Sequence, residues 1–201
     1  MKSIVIVLEL LRASLIDDIP QVTKFENLSN LDWQYAFDLL CKHGLAAVTF
    51  TAIEKLQQNL RPSKELLLIW IGQKIQQERL YSLRREAVDS LIGMWSDAGL
   101  KVVELKGNSI GRYYPKSELR YSCDFDAFLI DNSNPEESGY EKGNKMVETT
   151  GVTVDCKYYK NSSFYWKGVI VENHQFCTPV RGNREMKHLE RTLRQLVGTV
   201  D

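Results

Sequence analysis

The sequence is poor in the features that most readily announce a function. Its four cysteines, Cys41, Cys123, Cys156 and Cys177, are scattered, with no C-x-x-C pair. No Cys/His pair has ligand spacing either, which argues against a structural zinc site. Two of the thiols fall inside strand-like runs, so they read as reduced, mostly buried and cytoplasmic. Net charge is absent too: 26 Lys and Arg balance 26 Asp and Glu. A neutral chain has no global attraction to nucleic acid or anionic lipid, and any polyanion would need a local patch. No apolar run approaches the ~20 residues that a membrane span requires. The opening "MKSIVIVLELLRASLI" breaks at Glu9 and Arg12, and no small-residue cleavage site follows it. Internal repeats and low-complexity tracts are also missing.

What remains is an ordinary globular composition, 43% hydrophobic over 201 residues. That is enough apolar mass for one large domain or two small ones. Periodicity divides the chain near residue 98. Residues 1–98 read as helical. Leu8, Leu11 and Leu15 recur at helical spacing. Ser29 offers an N-cap to a helix with Trp33, Phe37 and Leu40 on one face and Gly44 as its stop. A third helix is expected over Ala46 to Leu60. A long one follows from Lys64 to Ala98, with a break expected in its polar stretch at 73–79.

After Gly99 the period shortens. "LKVVEL" and "DFDAFLI" read as strands, and "GNSIGRYY" as a turn into a short helix. The stretch "SNPEESGYEKGNKMVETTG" reads as a loop with a helix. "VTVDCKYY" and "WKGVIVENHQF" read as two more strands, with a turn at Asn161-Ser162-Ser163. Arg184 to Val197 reads as an amphipathic helix with Met186, Leu189, Leu193 and Leu196 inward. The fold class is therefore α+β: a helical region over 1–98 and a mixed sheet flanked by helices over 99–201.

Three features of the second half converge. Gly107 stands at a strand-to-helix turn, where a missing side chain lets backbone approach a ligand and helix N–H groups attract phosphate. Asp124 and Asp126 are two apart on a strand, so both carboxylates point to one side. Hard cations such as Mg²⁺ take oxygen ligands of this kind. Glu172 ends an apolar strand that could lie alongside, giving a third carboxylate for a two-metal clamp with ions about 3.5–4 Å apart. Asp155 in "VTVDC" is the rival for that third place. His174 reads as a strand-end histidine that makes a hydrogen bond.

The string "ELKGNSIGRYYPKSELRYSCDFDAFLI", with the later "ESGY" and "VIVENHQF", resembles the polymerase-β-like nucleotidyltransferase superfamily. The likeness is greatest to a poorly characterised bacterial group with a Lys-Gly turn, a Tyr-Tyr-Pro, an Arg and an Asp-x-Asp, and it spans about residues 85–180. The resemblance implies an α+β nucleotidyltransferase fold and transfer of NMP from an NTP to a hydroxyl of an acceptor. It implies Mg²⁺, two ions when NTP is bound. Gly107, Asn108 and Ser109 would cradle the triphosphate. Asp124, Asp126 and Glu172 would hold metal. Lys106 or Arg120 would stabilise charge on the leaving pyrophosphate. The helical half would shape the acceptor side. The turn here reads Lys-Gly-Asn-Ser rather than the Gly-Ser of the superfamily. A catalytically inactive module that binds a nucleotide or a partner on the same fold is therefore the alternative.

Overall fold

The computed structural model describes residues 2–178 and 184–199; the side chains of residues 108, 134–138 and 198 lie outside what is described. The chain forms two compact units, residues 1–83 with 110–121, and residues 84–109 with 122–201.

The first unit is helical. It contains α1 (Lys2–Leu15), α2 (Asn30–Lys42), α3 (Ala46–Lys55) and the first part of α4 (Lys64–Asp97). Ser29 caps α2: its hydroxyl accepts from the Asp32 N–H, and the Asp32 carboxylate accepts from the Ser29 N–H, 3.0 Å away. This reciprocal pair satisfies two donors that a helix start would otherwise leave bare. At the other end Gly44 takes φ +68°, where its missing Cβ lets the Tyr121 ring pack against it. The core gathers Ile6, Leu10, Trp33, Phe37, Leu40, Phe50, Ile53 and Trp70. Trp70 sits edge-on to Trp33 and Phe37, and its indole N–H donates to the Ala46 carbonyl at 2.7 Å. An indole pays no desolvation cost when its one donor is used in this way. α1 buries Ile6, Val7, Leu10 and Ala13, and leaves Leu8 and Leu15 exposed. α3 stops at Lys55, short of the expected Leu60, and residues 58–60 form a separate 3-10 turn. α4 runs unbroken through the polar stretch at 73–79, so the expected break is absent.

The second unit is a mixed sheet with helices. Its strands are β1 (Leu100–Glu104), β2 (Asp124–Asp131), β3 (Asn134–Ser138), β4 (Asn161–Trp166) and β5 (Val169–His174). The order is β1-β2-β5-β4, with β3 pairing the end of β2. β2 and β5 are parallel, and the other pairs are antiparallel. A parallel pair needs a long connection; here it carries α6 (Tyr140–Thr149). The short α5 (Asn108–Gly111) follows β1, and α7 (Arg184–Gly198) follows β5. One face of the sheet packs Phe125, Ala127, Leu129, Val169, Val171 and Phe164 against Ala87, Leu91 and Trp95 of α4 and Val147 of α6. Each such large apolar side chain contributes roughly 1.5–3 kcal/mol by leaving water.

Five expectations are corrected here. Residues 134–138, read as loop, pair with β2 as β3. "VTVDCKYY" forms no strand beyond an isolated bridge from Asp155 to Ser163. The hairpin turn falls at Lys167-Gly168, both at positive φ (48° and 84°), and not at Asn161-Ser162-Ser163. Those three residues begin β4, and the middle one is held inside: the Ser162 hydroxyl donates to Asn144 Oδ1 of α6 at 2.7 Å. Positive φ at both central residues is what a type I′ hairpin turn demands. The cysteines are free, but Cys41, Cys123 and Cys156 are exposed rather than buried. In α7, Leu189 and Leu196 are exposed, while Glu190 is buried and accepts from the N–H groups of Cys177 and Thr178. No helix among the described residues is long and apolar enough to cross a membrane.

Two predictions test this description. Ser29→Ala removes half of the reciprocal cap and is expected to destabilise the helical unit by about 1 kcal/mol in urea unfolding. The second concerns Asp131 at the end of β2. The Ser133 hydroxyl and then the Lys142 ammonium, 2.9 Å away, hold its carboxyl down at about 2. The folded value lies below the unfolded one, so this contribution to stability is complete above the unfolded value of about 3.9. It fades as pH falls through about 2. An NMR titration should place the Asp131 midpoint near pH 2 and show it rising in Ser133→Ala; an ordinary midpoint in the wild type would contradict the geometry.

Candidate metal and nucleotide site

The register of the parallel pair builds the site. Asp124, Asp126 and Phe128 of β2 stand opposite Ile170, Glu172 and His174 of β5. Facing residues in register share one side of a sheet, so both carboxylates of the Asp-x-Asp, Glu172 and His174 all point away from the apolar core. Asp126 is fully buried and His174 nearly so, whereas the Glu172 side chain keeps 32% of its exposure.

Asp126 is the centre. Its Oδ1 lies 2.7 Å from the Lys106 ammonium and 2.9 Å from His174 Nε2. His174 Nε2 is also 3.3 Å from Glu172 Oε2. The imidazole can serve these carboxylates only with a proton on Nε2, and its buried Nδ1 then has no partner. Burial alone would raise the Asp126 carboxyl; the bonds from His174 and Lys106 outweigh it and hold the group below its ordinary value. The Lys106 ammonium is held above its ordinary value by its bond to Asp126, with Asp124 and Glu172 adding to the field.

Asp126 Oδ2 is left over: it is buried and has no hydrogen-bond partner. Leaving a buried acceptor bare costs about 1–3 kcal/mol, and more when the group is charged. Asp126, Glu172 and His174 each offer one ligand atom, all within 4.8 Å of one another. The bare oxygen and this donor set fit a divalent cation. Two carboxylates suit Mg²⁺, and the imidazole also admits Mn²⁺ and other first-row ions.

The remaining sequence candidates are distributed unevenly. Asp124 shares the face but stands outside the trio; its Oδ1 lies 3.6 Å from the Cys123 thiol. Gly107 takes φ +71°, and a Cβ there would meet Glu104 Oε1 at 2.9 Å and approach the Asp124 carbonyl oxygen at 3.6 Å. The turn therefore has room for the Glu104 carboxylate only because Gly107 carries no side chain. The Ser109 hydroxyl donates back to the Lys106 carbonyl at 3.2 Å. Asn108 opens α5, and its side chain lies outside the described residues. Arg120 belongs to the helical unit, where its guanidinium stands 6.0 Å from the Tyr114 ring centroid. Asp155 is outside the trio and about half exposed, and it accepts from the Lys157 N–H at 3.0 Å in a local turn. His174 is the member that sequence reasoning undervalued. Its signal was present: it lies two residues beyond Glu172, the same alternation that links Asp124 to Asp126.

Gly107→Ala is expected to destabilise the sheet unit by at least about 1 kcal/mol, because a side chain is strained at that positive φ. Chemical denaturation of the variant checks this; an unchanged midpoint would show that the turn can relax.

No curated protein and no solved structure matches the chain. A family model described as "Uncharacterised nucleotidyltransferase" matches residues 29–200, which takes in all of the sheet and the whole trio. The chain belongs to this family of uncharacterised nucleotidyltransferases.

Proposed function

We infer that the protein is a divalent-cation-dependent nucleotidyltransferase that moves NMP from an NTP to a hydroxyl of an acceptor. The observation that carries this reading is the bare, buried Asp126 Oδ2 inside a trio of metal-ligating groups, in a chain of nucleotidyltransferase family. Asp126, Glu172 and His174 would hold the cation, with Asp124 reaching it from the same face. The cation, when bound, supplies a Lewis acid that neutralises charge on the triphosphate and acidifies the acceptor hydroxyl.

The protein's own groups do the rest. Asp126, fixed by the strand ladder and wholly buried, keeps its charge in a setting where water cannot screen it. Glu172, partly open to solvent, is placed to take the hydroxyl proton as the acceptor oxygen bonds to the α-phosphorus. The bond to the β-phosphate breaks, and pyrophosphate leaves. The turn at Gly107 lets backbone come close to the phosphates, and Lys106 provides a cation for the charge that develops on them.

The test is a transfer assay with α-labelled NTPs and Mg²⁺ or Mn²⁺. Purified protein tests self-modification, and cell extract supplies acceptors. Asp126→Asn and Glu172→Gln are each expected to lower transfer at least about 100-fold, beyond the usual effect of removing a group that merely orients a ligand. Cation-dependent NTP binding without transfer would favour the inactive binding module. Absence of both NTP and cation binding would remove the reading.

A further inference from the structure

Lys106 occupies an unusual place for a phosphate-binding lysine. Its ammonium is not turned toward solvent but sits on Asp126 Oδ1 at 2.7 Å, as close as a charge-assisted hydrogen bond allows. The carboxylate it touches is 1% exposed, whereas the lysine side chain is 53% exposed. The ammonium therefore caps a buried anion from the open side. Its charge also acts on Asp124 and Glu172. One ammonium thus serves the three carboxylates of this face, two of which belong to the metal-ligating trio.

We propose that Lys106 is a built-in competitor for the divalent cation: it holds the place beside Asp126 until a polyphosphate arrives, so that cation and nucleotide bind together and only weakly apart. This rests on the reading of the trio as a metal site. The physical argument is short. A cation on Asp126 Oδ2 and Glu172 would stand within a few ångströms of the Lys106 ammonium, and two positive charges at that distance repel. The ammonium sits on a flexible four-carbon stem that can swing away. Without an anion to receive it, swinging away exchanges a short ion pair for water. With a triphosphate present, it exchanges one anion for another. The nucleotide therefore lowers the cost of cation entry, and by reciprocity the cation raises nucleotide affinity by the same factor. The backbone is suited to this division of labour: the turn at Gly107, at φ +71° beside Glu104, sets the root of the lysine, while its tip is held only by the bond to Asp126.

The experiment is calorimetry on the whole chain with Mn²⁺ alone, and then with the preformed Mn²⁺ complex of inorganic tripolyphosphate. Wild type, Lys106→Met and Lys106→Gln are compared, with Glu172→Gln placed in the wild-type and Lys106→Met backgrounds. Circular dichroism melts confirm that each variant is folded before it is titrated. Both lysine variants are expected to bind Mn²⁺ alone at least about 10-fold tighter than wild type. The preference of the protein for the complex over free Mn²⁺ should shrink by a similar factor. Glu172→Gln should abolish the gain. Equal or weaker Mn²⁺ binding by both lysine variants, with Glu172→Gln still reducing it, would overturn the competitor role and leave the metal site standing. No Mn²⁺ binding in any variant would overturn both.

Discussion

The register between β2 and β5 is the constraint on which the site depends. Because Asp126 faces Glu172 and Phe128 faces His174, one ladder delivers a carboxylate, a second carboxylate and an imidazole to one spot. A slip of one residue would turn all of these side chains to the opposite face. That slip is opposed from below. Phe125, Ala127 and Leu129 on β2, and Val169 and Val171 on β5, would have to leave a core closed by α4 and α6. The apolar residues thus hold the polar ones in place, and neither set is intelligible without the other. A buried carboxylate with one bare oxygen is costly on its own account. Such strain is tolerated where the surrounding packing over-determines it, which is the usual condition of a binding site.

Much of this was legible in the sequence where local rules act alone. The cap at Ser29, the stop at Gly44 and the inward face of Trp33, Phe37 and Leu40 follow from helix period and capping chemistry, and they stand as expected. The two-residue alternation of "DFDAFLI" announced that its two aspartates would share one side of a sheet, and they do, with Phe125, Ala127 and Leu129 on the other. Legibility failed where tertiary contacts overrule local preference. Asn161-Ser162-Ser163 has the composition of a turn, yet Ser162 is buried in a strand where Asn144 of α6 accepts its hydroxyl. Lys167-Gly168 turns the chain although lysine has no special liking for positive φ. Glu190 is buried in a helix whose pattern pointed its leucines inward, because two N–H groups and Arg194 pair with its carboxylate. Nothing local predicts such partners.

The site itself was half legible. Spacing identified Asp124 and Asp126 as sharing a face, and the end of an apolar strand singled out Glu172, with Asp155 as its rival. Which of the acids would meet which depended on strand order, and a parallel pairing joined through α6 cannot be read from periodicity. The same pairing explains His174. Beside a lone strand end, a histidine is unremarkable. Opposite Phe128 and one step from Asp126, it becomes part of a cluster with two carboxylates.

Between Glu172 and His174 stands Asn173, and its role shows how the two faces are coupled. Alternation turns it to the core side, fully buried, where its amide donates to Asn144 Oδ1 at 2.8 Å and to the Tyr140 carbonyl at 3.0 Å. Asn144 Oδ1 also receives the Ser162 hydroxyl from β4. One oxygen of α6 therefore ties together two neighbouring strands. An apolar residue at 173 would satisfy the core equally well in area, but it would not fix how far β5 can slide along its neighbours. A hydrogen bond has a direction and a length that dispersion contacts lack. The polar knot beneath the sheet sets the position of β5 along its axis, and with it the placement of Glu172 and His174 over Asp126. Close approach of α6 makes the knot possible: Gly143 has no side chain because Leu129 fills that space, and its carbonyl accepts from the Trp95 indole at 3.2 Å. The geometry of the carboxylate–imidazole cluster above the sheet is thus decided in part by an amide, a hydroxyl and a missing side chain below it.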